Sequence, residues 1–350
     1  MREPVLSEAK FTSHLNEWGR RKVPFVFISD FLGQQHEAWR LDEADPTEVL
    51  FDLNGFTNDL PEPTAIPDFY FHKYPLSFEK YLPKFDYVVR QIRAGNSFLT
   101  NLSAPTPVAT DLSLHAIFRH SQARYRLWRK DRFVCFSPEI FVKIQGTRIA
   151  SYPMKGTLDA ARPNAEQVLL SDPKEAAEHA TIVDLIRNDL SMVARRVVVE
   201  RYRYLDRLLT NDKTLLQVSS EITGQLPPDF DGAYGDLLRK LLPAGSISGA
   251  PKPSTLRIIR EAEGYERGYY TGVMGYFDGS TFESAVMIRY IENQEGKLVF
   301  KSGGGITARS QAQLEYQELI DKVYLPFTHE PTLHRDHLPA QPPAAAPSLP

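Results

Sequence analysis

One long helical stripe standing among short strand-sized runs constrains this chain more than any other feature. Glu175 to Arg196 carries Ile182, Leu185, Ile186, Leu190 and Val193 at helical spacing. Before it, Arg132 to Phe136, Ile140 to Gln145 and Arg148 to Ser151 read as strands separated by turn residues; after it, Gly272 to Phe277, Ser284 to Ile291 and Lys297 to Lys301 do the same. A parallel sheet demands regular alternation of strand and helix, which is missing here. The pattern predicts an α+β fold, with helices packed outside stacked sheets.

Smaller elements complete the expectation. Val23 to Phe31 and Glu48 to Leu53 look like strands of a small N-terminal layer, residues 1–75, and Pro61-Glu62-Pro63 with Pro67 breaks that layer into a loop. Tyr81 to Ala94 repeats Leu82, Phe85, Val88, Val89 and Ile92 on one helical face and stops at Gly95. A final helix runs from about Ala312 to Val323. The Pro- and Ala-rich stretch 331–350 cannot form a packed core and is expected to be a disordered tail.

Composition excludes several function classes. Lys and Arg number 41 against 44 Asp and Glu, a net charge of -3, so there is no global attraction to nucleic acid or to an anionic membrane. No run of 18 apolar residues occurs, and no repeat of solenoid period is present. The single cysteine, Cys135, has no intrachain disulfide partner, and the N-terminus lacks the apolar run of a signal peptide. A reducing cytoplasm fits this composition.

Three constellations could carry chemistry. On the final helix Glu315, Glu318 and Lys322 lie within roughly 60° of one another at about 100° per residue, either as a solvated stripe or as one wall of a metal site. Glu175 and Glu178 form a second carboxylate pair on the long helix, and two such pairs suit Mg²⁺, which prefers oxygen ligands. The second constellation is the turn Tyr152 to Thr157 around a single lysine, Lys155. It is an ordinary surface turn unless burial or a second cation strips the amine of its proton and makes it a nucleophile or base. The third is the glycine run Gly303-Gly304-Gly305 after a strand, a flexible connection or an anion cradle, with Arg289 nearby in the strand segment Met287 to Tyr290.

Seven segments then occur in a recognisable order. They are Ser137-Pro138-Glu139, PMKGT at 153–157, KEAAEHATIVDLIRNDL at 174–190, PAGSISGAPK at 243–252, ERGYYTGVMGYF at 266–277, AVMIRY at 285–290, and SGGGITARSQAQLEYQE at 302–318. Over residues 76–325 the chain resembles the chorismate-utilising enzymes, the group that includes anthranilate synthase component I, aminodeoxychorismate synthase component I, isochorismate synthase and salicylate synthase. The resemblance implies stacked antiparallel β-sheets with outer helices, residues 1–75 belonging to the same globule, and chorismate as substrate. It further implies Mg²⁺ held by Glu178 and Glu318, with Glu175 and Glu315 beside them as water-holding carboxylates. Tyr270, Arg289 and the amides of Gly303, Gly304 and Gly305 are implied to take the enolpyruvyl carboxylate, and Lys322 to stand near the metal. Thr157 and Ser248 are implied as further substrate contacts. Glu139 matches the general acid for the departing C4 hydroxyl, which must stay protonated until needed.

Within that family the resemblance is closest to aminodeoxychorismate synthase component I, because Lys155 stands where that branch places a nucleophile for C2 and where anthranilate synthases place alanine. Leu99 stands where isochorismate and salicylate synthases carry a water-activating lysine, and leucine cannot remove a proton. His179 is the one position that looks like the anthranilate branch. Cys135, in the run Phe133 to Phe136, does not resemble a glutaminase nucleophile, so the resemblance implies that ammonia comes from a separate glutamine amidotransferase subunit. The shorter N-terminal layer argues against tryptophan feedback. Alternatives are anthranilate synthase component I, an isochorismate- or salicylate-type synthase, and a noncatalytic chorismate-binding paralogue.

Overall fold

The computed structural model describes residues 5–60, 66, 68–209 and 214–327; the loop prolines at 61–63 and 67 and the tail at 331–350 lie outside them. Two nine-stranded antiparallel sheets form the centre. The first runs in the order Met154–Asp159, Thr214–Gln225, Arg148–Ser151, Ile140–Gln145, Thr281–Val286, Val273–Phe277, Phe25–Ser29, His36–Arg40, with Arg195–Leu209 also paired to Thr214–Gln225. The second runs Gly249–Ala250, Leu99–Thr110, Lys297–Ile306, Tyr290–Gln294, Phe133–Ser137, Tyr125–Arg129, Val49–Leu53, Phe56–Thr57, with Phe71–Lys73 paired to Leu99–Thr110. The strand at 25–29 enters the first sheet by pairing with 273–277, Phe25 opposite Phe277 and Ser29 opposite Val273.

Side-chain alternation sorts the core into layers. Val26 and Ile28 of the first sheet meet Phe51, Leu127, Cys135 and Tyr290 of the second, so one cluster lies between the sheets. Phe25 and Phe27 point the other way, into a cluster with Phe11 and Leu15 of helix Glu8–Arg20, Leu237 and Leu238 of helix Tyr234–Leu241, and Val183, Ile186 and Leu190 of the long helix Pro173–Ser191. On the far side of the second sheet, Leu102, Ala104 and Ile306 are covered by Phe85, Val88 and Ile92 of helix Phe78–Arg93, Ile258 of helix Lys252–Glu263 and Leu319 of the last helix, Ala312–Asp321. The result is helix, sheet, sheet, helix, the α+β arrangement of stacked sheets expected from the sequence.

Four local expectations need correction. The long helix ends at Ser191, and Arg195 and Arg196 open a strand, because Val197, Val198 and Val199 favour extension and the Thr214–Gln225 partner is available. The run Ser284 to Ile291 is two strands in different sheets; the chain crosses between them at Met287 to Arg289, and Arg289 takes φ 55° there. The glycine run lies inside a strand, with Gly303, Gly304 and Gly305 paired to Ser103, Leu102 and Asn101. Lys155 sits on a sheet strand rather than in a turn; Gly156, at φ +71°, makes a bulge between Lys155 and Thr157.

Candidate active site

A cavity of about 540 Å³ opens where the bulged strand, the long helix, the glycine strand and the last helix converge. Pro173 starts the long helix, and Asp172 Oδ1 accepts the Glu175 N–H at 3.1 Å, so its first turn is fixed. That turn aims Glu175 and Glu178 at the bulge. Lys155 Nζ stands 2.8 Å from Glu178 Oε2. A Cβ on Gly156 would sit 3.0 Å from Leu169 and 3.7 Å from Glu175 Oε2, so the bulge presents bare backbone to the carboxylate.

Opposite, Lys322 Nζ meets Glu318 Oε1 at 2.7 Å and donates to Gly303 O at 2.8 Å. A Cβ on Gly304 would lie 3.6 Å from both Glu315 Oε2 and Glu318 Oε1, which brings the two carboxylates of the last helix over the open face of the glycine strand. The two lysines respond differently. Burial pulls Lys155 down, but Glu178, Glu318 and Glu175 together outweigh it and raise its pKa above the ordinary lysine value. For Lys322 burial wins over the attraction of Glu318, and its pKa falls. The sequence reading allowed Lys155 to be uncharged if a second cation or an apolar wall surrounded it; its immediate neighbour is instead a carboxylate, and it is an ammonium here.

Glu139 lines the cavity near its other end, where Ser246 Oγ donates to its Oε1 at 3.2 Å. Burial raises the Glu139 pKa, with Ser246, Arg289, Lys322 and Lys155 opposing. The acid is therefore held toward its protonated form. Arg289 reaches the cavity from the sheet crossing, its guanidinium 5.6 Å from the Tyr324 ring centre, and its buried Nε has no hydrogen-bond partner among the described residues. Tyr270, also on the wall, is buried, and burial raises its phenol pKa.

Not every expected residue faces the cavity. Ser248 is buried and gives its hydroxyl to Ala244 O at 2.8 Å, closing its own helical turn; the neighbouring Ser246 reaches the cavity instead. The Thr157 side chain lies outside the described residues. His179 turns away to bond Ser220 Oγ at 2.7 Å, and burial, aided by Arg203 and Lys155, pushes its pKa down to about 4. Leu99 does line the wall, 3.6 Å from where a Gly305 Cβ would be. Cys135 is core, its thiol donating to Ile288 O at 3.2 Å.

Sequence reasoning missed the support under the cavity floor. Arg267 and Glu263, both buried, pair at 2.6 Å; Arg267 also donates to Ile247 O, Asn101 O and Thr271 Oγ1. Three segments that border the cavity are thus pinned to one guanidinium. The signal was the four-residue spacing of Glu263 and Arg267, which in sequence reads as an exposed helical pair; the helix in fact ends at Glu263, and Gly264 (φ +66°) turns the chain so that Arg267 folds back onto that carboxylate.

The family profile for chorismate-binding enzymes matches residues 15–327. The chain belongs to that family. An uncharacterized PabA-like protein of Haemophilus influenzae is 48% identical to this chorismate-binding enzyme over 317 residues, 91% of this chain and 96% of that one. A second PabA-like protein, from Pasteurella multocida, is 48% identical over 318 residues, 90% and 98% of the two chains. The anthranilate synthase component 1 of Arthrobacter globiformis is 38% identical over 208 residues, 57% of this chain and 38% of that protein. Among solved structures, the menaquinone-specific isochorismate synthase MenF of Escherichia coli matches with a TM-score of 0.68 at 16% identity, covering 91% of this chain and 82% of that one. Anthranilate synthase component I of Streptococcus pneumoniae matches at 0.63 and 23% identity, covering 91% and 78%. At such identities the structural likeness speaks for the fold.

Family membership raises the question of a divalent cation. Three carboxylates, Glu175, Glu178 and Glu318, line one cavity, with Glu315 reaching Gly304 of its wall, and hard oxygen donors are what Mg²⁺ takes. Two of them already hold positive charge, in the form of Lys155 and Lys322. Among the described residues no three acids are drawn together around a single point. The donor set fits the ion in chemistry, provided that the lysines give up their places.

Proposed function

We propose that this enzyme converts chorismate and ammonia to 4-amino-4-deoxychorismate, with Lys155 as nucleophile. The observation that carries the reading is the placement of Lys155 Nζ in the cavity wall, 2.8 Å from Glu178 and facing the glycine strand. Glu178 and Glu318, with Glu175 and Glu315 close by, would hold Mg²⁺, which would supply positive charge to anchor a substrate carboxylate and would compete with the two lysines for their carboxylate partners. Lys155, once Glu178 is engaged elsewhere, is a buried amine beside a second cation, Lys322, and both conditions favour loss of its proton. Its lone pair attacks C2 while Glu139 protonates the C4 hydroxyl, which leaves as water. Ammonia then forms its bond at C4, the C2–N bond to Lys155 breaks and the amine returns to the enzyme, while the new C4 ammonium gives a proton back to Glu139.

Arg289, with its uncommitted Nε, and the glycine strand amides take the enolpyruvyl carboxylate; Tyr270 walls that end. Leu99 offers no base for water attack. Ammonia comes from a partner glutamine amidotransferase, which the PabA-like naming of the two near-full-length relatives favours, and the reaction belongs in the cytoplasm. No helix among the described residues is long and apolar enough to cross a membrane.

The second reading is anthranilate synthesis, favoured by His179 and by the partial match to the anthranilate synthases. The position of His179 outside the cavity lining weakens it. Incubating the purified chain with chorismate, Mg²⁺ and ammonium, then identifying the product by mass and absorption spectrum, tests the proposal. Aminodeoxychorismate is expected; anthranilate or isochorismate overturns it.

A further inference from the structure

The long helix carries Glu178 beside Lys155 and, three turns further on, Asp189 beside the short helix Gly245–Ser248. Asp189 is buried; its Oδ2 accepts the Gly245 N–H at 2.9 Å, and its Oδ1 lies 2.7 Å from Lys252 Nζ. Lys252 donates in addition to Leu241 O at 2.9 Å. A Cβ on Gly245 would stand 2.7 Å from Asp189 Oδ2, so only glycine allows the backbone to settle this closely on the carboxylate. One residue later Ser246 Oγ donates to Glu139 Oε1 at 3.2 Å, and from the far side Arg267 donates to Ile247 O at 3.1 Å. The turn is clamped on both flanks of Ser246, and that serine rests on the acid.

We infer that Ser246 and Asp189 are positioning residues that decide which oxygen of Glu139 carries its proton; this rests on the reading of Glu139 as general acid. A hydroxyl that donates to Oε1 makes that oxygen an acceptor and leaves the hydrogen to Oε2. Without Ser246 the proton distributes over both oxygens, and part of the population presents an empty lone pair to the leaving hydroxyl. The charged groups that face Glu139 are Arg289 from the sheet crossing, Lys322 at the end of the last helix and Lys155 on the bulged strand. These act through space on the carboxyl as a whole, whereas the serine distinguishes one oxygen from the other.

The test is a ¹³C NMR titration of the Glu139 carboxyl in glutamate-labelled protein, its resonance assigned by its loss in Glu139→Gln, run beside steady-state chorismate consumption. Ser246→Ala is expected to move the midpoint upward, since a donor to the carboxylate has gone, and to lower kcat about twofold with KM held, because about half of the protonated population then carries its hydrogen on the oxygen turned away from the leaving hydroxyl. Ser246→Thr, which keeps the hydroxyl, should bring the midpoint back toward wild type. Asp189→Asn should move it in the same direction as Ser246→Ala but less, because the amide oxygen still accepts from Gly245. A Ser246→Ala midpoint that coincides with wild type overturns the inference, whether or not the Asp189 variant folds. The underlying reading fails in a different way: Glu139→Gln protein that still turns over chorismate removes Glu139 as the acid while leaving the titration shift in place.

Discussion

Lys155 and Glu178 meet across the gap between the first sheet's edge and the long helix, Nζ to Oε2 at 2.8 Å. The pairing makes the protonation of Lys155, the nucleophile of the proposed reaction, depend on what else Glu178 is holding. A lysine permanently neutral in this cavity would be exposed to any electrophile, whereas one masked by its own carboxylate is released only when the site is filled.

Replacing Lys155 by alanine should abolish aminodeoxychorismate formation while leaving chorismate binding within about threefold of wild type, since the amine forms a bond only during reaction. Lys155→Arg should be equally inactive, because it restores the charge opposite Glu178 without a usable lone pair. Product analysis by mass spectrometry decides; undiminished amino product from either variant would falsify the lysine mechanism.

Glu178→Gln and Glu318→Gln should each raise the Mg²⁺ concentration for half-maximal activity by about tenfold or more, a loss of about 1.4 kcal/mol in ion binding. Chelation of the wild-type enzyme should remove activity, and added Mg²⁺ should restore it. A Glu178→Gln enzyme with an unchanged Mg²⁺ titration would place the ion elsewhere.

Activity should fall as pH rises through the Glu139 pKa, because burial raises that value and the acid works only with its proton on. The same shift has a consequence for stability. A carboxyl whose folded-state pKa is raised contributes stability fully present below its unfolded value, near 4.3, and lost as pH rises through the folded value. Glu139→Gln escapes that loss, so its melting temperature should exceed wild type at neutral pH and converge with it in acid. Parallel melting curves across pH would contradict the assignment of a raised pKa.

The glycine strand separates fold from site at adjacent positions. Gly303→Ala places a Cβ 2.7 Å from Leu102 O, a backbone atom of the paired strand, and should lower the melting temperature. Gly304→Ala meets the Glu315 and Glu318 oxygens at 3.6 Å and Lys322 Nζ at 3.8 Å, all side-chain ends in ordinary contact, and should melt like wild type while weakening Mg²⁺ activation. Reversal of these two phenotypes would mean that the open face of the strand has been misread.

Arg267→Met should cost about 3–5 kcal/mol in denaturant unfolding, because Glu263 would be left charged, buried and without its main cation. The double variant Arg267→Met/Glu263→Gln should recover part of that loss. A single variant within 1 kcal/mol of wild type would show that water reaches the pair.

The layers were legible because period-2 and period-3.6 patterns are written by burial itself, and Tyr81 to Ala94 and Ile140 to Gln145 emerge close to their expected limits. The helix Glu8–Arg20 was not, since its buried side is narrow, with Phe11 and Leu15 as its large apolar anchors. Arg289 was read as a strand residue because the run Val286 to Ile291 is apolar on both sides of it; nothing local says that the chain changes sheets in the middle. Of the residues singled out through motif resemblance and the helical spacing of the acids, Lys155, Glu175, Glu178 and Glu318 do line one cavity. Ser246 was passed over for Ser248, two residues away in the same motif, since which hydroxyl faces outward depends on the clamp that Asp189 and Arg267 impose on the turn.

The strand at 25–29 has its sheet partner at 273–277, near the opposite end of the chain. During synthesis the ribosome therefore releases Phe25, Val26, Phe27 and Ile28 long before their permanent cover exists. Closure of the first sheet waits for a contact of very high sequence separation, which slows folding and leaves apolar side chains uncovered meanwhile. Until residues 273–277 emerge, the nascent polypeptide therefore carries an uncovered apolar strand open to pairing with other chains.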